Sequence, residues 1–243
     1  MRDERPLGAV PRTVFAVLIG ALALHMSLQW AQPRPVARAE ALEAPPPLTV
    51  LRAAALGEPV AMAQLTVLYL QAFDNQPGIS IPFKDLDYSR VIQWLERTLG
   101  LDPRGQYPLM LASQVYPQVP DPARQRQMSE FVYAQFLLDP DRRWRWLAHV
   151  AIMAKHRLHD NPLALRYAAE ITRAAPTAPS WARQMQIFIL EDIGEVESAK
   201  IMLGGLLATG QITDEHELRF LTERLETLKT AEKQTDLMKS RRH

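Results

Sequence analysis

Helix-ending prolines recur at nearly constant intervals in this chain. Beyond Leu48 the apolar residues return at steps of three and four, the period of amphipathic α-helices, with breaks at proline and glycine. Three breaks contain Pro103, Pro140 and Pro176, at separations of 140 − 103 = 37 and 176 − 140 = 36 residues, and Gly210 follows 210 − 176 = 34 residues later. A period of about 35 residues with two helices in each unit is typical of helical repeat proteins.

The apolar pattern predicts an almost entirely helical chain. The predicted helices are 48–56, 59–73, 87–100, 104–116, 122–138, 141–158, 162–175, 178–193, 195–209 and 213–238. No segment has a convincing strand pattern, because Ile79-Ser80-Ile81 is too short. Residues 74–86 form the one long irregular loop in this prediction.

Other features recur with the same period as the prolines. An aromatic residue follows each proline, at Tyr107, Trp144 and Trp181. Tight polar turns place Ala164 and Ala199 early in the second helix of two units, 199 − 164 = 35 residues apart. An aromatic in the first helix, a small residue in the second and a closing proline resemble the tetratricopeptide repeat family.

This resemblance covers residues 59–210 and implies an all-α chain with a right-handed α-solenoid of about four helix pairs. The repeat domain is placed at 48–210, with a capping helix and basic tail in 211–243 and one transmembrane helix before it. Few units carry the family's glycine in the first helix, the helix at 122–138 is long, and 74–86 is an insertion. The alternative is an irregular helical bundle with coincidental proline spacing.

The last predicted helix, 213–238, has the pattern of an end cap. Its apolar stripe consists of Leu218, Leu221, Leu225 and Leu228. The solvated face is assigned to Glu215, Glu217, Arg219, Glu223, Arg224, Glu226 and Lys229. Thr213 is predicted as the N-cap. One apolar stripe and one charged face suit a helix that covers the end of a stack.

An apolar run near the N-terminus is long enough to cross a membrane. Residues 13–30 would form a helix of roughly 27 Å and end at Trp30, an aromatic typical of the membrane interface. Three arginines precede the run and two follow it: Arg2, Arg5 and Arg12 against Arg34 and Arg38. The pattern predicts a signal anchor, with residues 1–12 in the cytoplasm and a Pro-rich tether at 31–47.

Two alternatives compete with the signal anchor. A signal peptide would be cleaved at Ala37-Arg38-Ala39, which lies farther from the apolar core than is usual. A buried core helix is disfavoured because the run has no polar face.

Composition and motifs exclude several classes of function. The net charge is +1, without the basic excess expected of a nucleic-acid-binding protein. The absence of cysteine excludes disulfides, iron–sulfur clusters and thiolate zinc sites. The sequence has no P-loop, no Gly-x-Ser-x-Gly and no His-Glu-x-x-His. Gly204-Gly205 lies in a predicted helix, where close packing explains it better than phosphate binding. We therefore expect no catalysis, no cofactor and no nucleic-acid partner.

Two clusters of polar residues invite a chemical interpretation. His149, His156 and His159 with Asp160 have a spacing that could supply metal ligands, but a closed site would need a further group, so we predict no metal. The four carboxylates Glu191, Asp192, Glu195 and Glu197 surround a helix–turn–helix junction, where caps and solvated charges are commoner than acid–base pairs.

A candidate binding surface lies on the helix predicted at 141–158. At about 100° per residue, one arc of this helix holds Arg142, Arg145, His149, Ile152 and His156. The helix has five basic residues and one acidic residue, a net charge of +4, whereas the whole chain has +1. We expect the arc to bind an acidic or carboxylate-bearing protein segment through bidentate arginine contacts. Alternatively, these arginines are solvated or pair with carboxylates of neighbouring helices.

Together these features predict a non-catalytic scaffold or assembly factor of a bacterial envelope complex. It would be a single-pass protein of the bacterial inner membrane, anchored by residues 13–30, with its C-terminal domain in the periplasm. The alternatives are a helical metal-binding protein or enzyme that uses His149, His156 and His159, and a secreted soluble adaptor released by signal cleavage.

Overall fold

The computed structural model describes residues 11–31, 39–76, 78–210, 212 and 214–240. These residues are mostly helical, which confirms the predicted all-α class. The chain divides into two units, residues 1–40 with 75–80, and residues 41–74 with 81–243. The predictions for residues 1–10, 32–38, Thr213 and 241–243 lie outside the described residues.

The first unit contains the apolar helix α1 (Arg12–Ala31). Its stretch Arg12–Trp30 is long and apolar enough to cross a membrane, with a mean hydropathy of 1.6, and none of it is buried. The structure therefore supports a candidate span at the predicted position and contradicts a buried core helix.

The first unit also contains a small antiparallel hairpin. Strands β1 (Asn75–Gln76) and β2 (Ile79–Ser80) pair with Gln76 opposite Ile79, and Gly78 has a φ of +79° at the turn. The Gln76 amide accepts from the Glu40 backbone N–H at 2.8 Å and donates to the Glu40 carbonyl at 3.2 Å. The prediction that this segment has no strand was wrong, because two-residue strands are too short to show alternation.

The second unit contains eleven described α-helices. They are α2 (Leu48–Ala54), α3 (Pro59–Ala72), α4 (Tyr88–Leu101), α5 (Tyr107–Met110), α6 (Pro122–Leu138), α7 (Pro140–His156), α8 (Asn161–Ala174), α9 (Ser180–Arg183), α10 (Met185–Asp192), α11 (Val196–Ala208) and α12 (Glu215–Ser240). Short 3₁₀ turns at Phe83–Asp85 and Tyr116–Gln118 and a π turn at Leu111–Val115 complete it. Helices α4, α6 and α8 each end two residues before the proline predicted to close them.

Aspartates at helix N-termini fix where several helices begin. The Asp87, Asp121 and Asp160 carboxylates accept hydrogen bonds from Ser89, Ala123 and Leu163 backbone N–H groups, each at 2.9 Å. These contacts satisfy donors that have no partner within the helix.

Two predicted helices are interrupted in the structure. The segment 104–116 is helical only from Tyr107 and passes through the π turn to a 3₁₀ turn that contains Pro117. The segment 178–193 is broken at Gln184 into α9 and α10. There the Thr172 hydroxyl of α8 donates to the Arg183 carbonyl at 2.5 Å, so a tertiary contact occupies a main-chain acceptor at the break.

Most helices pack against their neighbours in the sequence, notably α3 on α4, α6 on α7, α7 on α8, α10 on α11 and α11 on α12. One large apolar cluster extends from Leu42 to Ile189 and includes fully buried Phe136 and Tyr167. Several side-chain hydrogen bonds join residues about one predicted period apart, such as Arg166 to Glu130 and Thr177 to Asp141, both 36 residues.

Part of the predicted tether belongs to the second unit. Leu42 lies in its core, Pro45 is buried, and the Glu43 carbonyl accepts from the Trp94 indole N–H at 2.9 Å. Residues 41–47 therefore pack on the helical unit rather than extend freely.

The apolar stripe of α12 differs from the predicted one at its first position. Leu221 and Leu228 are buried and Leu225 is partly buried in a cluster with α10 and α11, but Leu218 is 42% exposed. In this first turn of α12 the side chain of Glu217, not that of Leu218, faces the neighbouring helices. It accepts hydrogen bonds from the Ser180 hydroxyl at 2.6 Å and from the Gln184 amide. The assignment of Glu217 to the solvated face was therefore wrong.

The interpretation of Gly204-Gly205 was also wrong. A Cβ atom built on either glycine would meet nothing within 4 Å, so neither marks a close helix contact.

Candidate functional site

Helix α7 presents the predicted binding arc to solvent. The side chains of Arg142, Arg145, His149, Ile152 and His156 are all exposed. The opposite side of the helix is buried through Leu147, Ala148, Val150, Ala151 and Ala154. The sequence pattern therefore separated the two faces of α7 correctly, and the binding role of the arc stays a prediction.

The two tryptophans of α7 pack against neighbouring helices and segments. The Trp146 indole N–H donates to the Gln106 side-chain oxygen at 2.6 Å. The Trp144 ring lies edge-to-face on the Trp181 ring of α9, with centroids 5.5 Å apart and planes at 75°. Both tryptophans border the main core, so their aromatic rings are used in packing between helices.

Most of the basic residues in 141–158 have partners within the protein. Arg143 is 4% exposed and donates to the Gln135 carbonyl at 2.6 Å and to the Pro103 carbonyl at 2.9 Å. Burial lowers the pKa of its guanidinium. Lys155 forms an ion pair with Asp192, and Arg157 donates to the Pro117 carbonyl at 3.2 Å and to the Gln118 side chain at 3.0 Å. The net charge of +4 therefore overstates the positive charge that this helix presents to a binding partner.

The two arginines predicted to contact a partner differ in their surroundings. Arg142 pairs with Asp139 three residues earlier, with Nε and Oδ2 2.9 Å apart. The Arg145 guanidinium lies 5.8 Å from the centroid of the Trp144 ring. Within the described residues Arg145 forms no ion pair, so of these two arginines it is the more available to a carboxylate.

A groove of about 450 Å³ adjoins this part of α7. Its lining comes from α7, α9, α10 and α12: Ile152, Lys155, His156, Trp181, Met185, Phe188, Ile189, Glu191, Asp192 and Arg224. The structure brings Ile152 and His156 of the predicted arc into this groove and leaves Arg142, Arg145 and His149 out of its lining. The Trp144–Trp181 contact connects Arg145 with the groove, since Trp181 lines it.

An ion pair with one unused acceptor closes the groove on the α10–α12 side. The Glu191 side chain is only 6% exposed, and its Oε2 accepts from Arg224 Nε at 2.8 Å and also from Nη2. Its Oε1 is buried without a hydrogen-bond partner among the described residues. These hydrogen bonds raise the pKa of Arg224. The groove thus combines apolar side chains with paired charges and no large excess of either sign.

Sequence reasoning missed Glu191, Arg224 and Trp181 as members of one site. It placed Glu191 among solvated turn charges, Arg224 on the solvated face of α12, and Trp181 only in the repeat pattern. The sequence signal that could have found this pair is its spacing, because Glu191 and Arg224 are 33 residues apart, close to the predicted period of about 35.

The histidine cluster does not form a metal site in the described part of the chain. No group of three or more histidine, cysteine, aspartate or glutamate side chains is arranged to hold a metal ion there. His159 lies in the turn between α7 and α8, where its backbone φ is +51°.

The chain was compared with family models, curated proteins and solved structures. No match was found in any of the three comparisons. The likeness to tetratricopeptide repeats therefore stays a prediction from the sequence pattern.

Proposed function

We propose that this protein is a membrane-anchored, non-catalytic scaffold or assembly factor that binds a protein segment in the groove of α7, α9, α10 and α12. The observation that carries the proposal is the groove itself, with its exposed apolar side chains. Arg145, on the same exposed arc of α7 as Ile152, forms no ion pair among the described residues. A volume of about 450 Å³ is in the range of binding clefts and suits one or two apolar side chains of a peptide.

The bound segment combines an apolar and an acidic side chain. Its apolar residue packs on Ile152, Trp181 and Phe188, which are partly or largely exposed in the free protein. Its carboxylate pairs with Arg145, which lies seven residues before Ile152 on α7, or roughly 10 Å along a helix at ~1.5 Å per residue.

Helix-pair stacking in the manner of tetratricopeptide repeats is part of this proposal. It is supported by packing between helices adjacent in sequence and by side-chain hydrogen bonds across about 36 residues. In such an arrangement neighbouring units together form a surface for an extended partner.

The location that we propose is the bacterial inner membrane, with the helical unit in the periplasm. Helix α1 supplies a candidate span, and three arginines before the run against two after it favour a cytoplasmic N-terminus.

Charge substitutions at Arg145, which lies outside the groove lining on α7, and at Ile152, which belongs to the lining, test this function. We expect Arg145→Glu and Ile152→Glu each to reduce recovery of the partner about tenfold or more, because central interface residues typically contribute 2 kcal/mol or more. The measurement is quantitative affinity purification from membranes with full-length tagged protein, after circular dichroism has shown normal folding.

Ile201→Glu is the matched control, since Ile201 is an exposed apolar residue of α11 outside the groove lining. Full recovery with both Arg145→Glu and Ile152→Glu, or equal loss with the control, would contradict the proposed site.

A further inference from the structure

Helix α3 has an apolar face that is largely exposed to solvent. This face, named here the α3 outer face, consists of Ala61, Leu65, Leu68, Tyr69 and Ala72, all exposed. Leu65 and Leu68 each expose more than half of their surface. The opposite side packs on the core through Ala63, Thr66, Val67 and Leu70, and the helix has no charged residue at all. Apart from Gln64, Thr66 and Gln71 the helix is apolar, and a contiguous exposed apolar face of this kind typically marks a contact with protein or with a membrane.

The composition and geometry of α2 and α3 favour a position at a membrane surface. Together the two helices are apolar enough to count as a candidate span, but their axes differ by 115°, so they do not form one straight span. The corner between them exposes Leu56, which is 92% accessible and has a φ of +49°. Contact of this side chain with an apolar layer would remove its exposed apolar surface from water.

The chain enters the helical unit next to this face. The Glu43 carbonyl accepts from the Trp94 indole N–H, and the Trp94 ring lies 4.7 Å from the Tyr69 ring of the α3 outer face. From the end of α1 at Ala31 to Ala41 there are 41 − 31 = 10 residues. At about 3.5 Å per residue this connection reaches ~35 Å at most.

We propose that the α3 outer face, with Leu56, lies in the interfacial layer of the bilayer that holds α1, an inference that rests on the proposed membrane anchor. The partner is a lipid surface, whose boundary between headgroups and acyl chains accepts apolar side chains to a depth of roughly 5–10 Å. Tyr69 suits this layer because its ring is apolar and its hydroxyl remains at the headgroups.

The anchor explains how a face without basic residues can hold to lipid. Interfacial helices that bind from solution usually add electrostatic attraction to anionic lipids. Here the connection to α1 keeps the face at a high effective concentration near the bilayer, so apolar contact alone is sufficient. Docking fixes the side of the helical unit that faces the membrane.

Because the chain has no cysteine, single-cysteine variants report each position without background. Full-length protein with Leu65→Cys or Leu68→Cys is labelled with an environment-sensitive fluorophore and reconstituted in vesicles of phosphatidylcholine and phosphatidylglycerol. Nitroxide-labelled lipid and aqueous iodide are then compared as quenchers. Ala21→Cys in α1 reports the anchor, and Ile201→Cys in α11 is the control for an exposed apolar site.

We expect the nitroxide lipid to quench the fluorescence of labels at 21, 65 and 68. The label at 201 should be quenched by iodide only. If the label at 21 is quenched by the nitroxide lipid but the labels at 65 and 68 are quenched by iodide, the docking inference is overturned and the anchor remains intact. A label at 21 outside the lipid would overturn both. Labels at 65 and 68 could also be protected from both quenchers, but only when a vesicle holds more than one chain. That result would show a contact between two copies of the protein and would overturn the lipid assignment.

Discussion

Replacing Leu221 with alanine is expected to cost about 2–5 kcal/mol of unfolding free energy, the usual range for a large-to-small change in a core. Leu221 is fully buried in the cluster that joins α10, α11 and α12, together with Leu203 and Ala199. The substitution removes apolar contacts and leaves a cavity that the three helices only partly close. Urea unfolding of full-length protein, followed by circular dichroism, measures the loss.

Leu218→Ala is the matched control in the same helix. Leu218 is 42% exposed, so its truncation should change stability by no more than about 0.5 kcal/mol. Equal losses for the two variants would mean that Leu218 belongs to the packed stripe of α12, as the sequence alone predicted.

Replacing Arg143 with alanine should destabilise the protein by about 2–4 kcal/mol. The buried guanidinium donates to the carbonyls of Gln135 and Pro103, which belong to α6 and to the segment after α4. Alanine leaves these acceptors without their donor, and a buried unsatisfied polar group costs about 1–3 kcal/mol. The same urea titration reports the effect.

Arg142→Ala is the control for Arg143. Its pair with Asp139 is exposed and local, and such pairs contribute about 0.3–0.5 kcal/mol. If Arg143→Ala is as mild as Arg142→Ala, the guanidinium is not the connection between helices that the structure indicates.

Local signals predicted most helix boundaries correctly. Proline and aspartate end or begin a helix within one turn of their own position. Neighbouring residues were therefore sufficient to predict where α4, α6 and α8 end and where α8 begins. The break at Gln184 could not, because it involves a hydrogen bond from Thr172, twelve residues earlier in another helix.

Periodicity predicted which face of α7 is exposed but not what surrounds it. The charge count treats every arginine of this helix alike, whereas Arg143 is buried, Arg142 is paired with Asp139, and the Arg145 guanidinium lies 5.8 Å from the centroid of the Trp144 ring. The groove was missed because Glu191 and Arg224 reach it from helices that only the tertiary fold brings together.

Photo-crosslinking from position 152 tests the central claim, that the groove binds a protein segment. Full-length protein with a benzophenone amino acid at position 152, or at position 201 as control, is irradiated in membranes of the cells that express it. The account predicts a discrete adduct with a second protein from position 152 and none of that size from position 201. Contradiction would be the absence of such an adduct from position 152, or the same adduct from both positions.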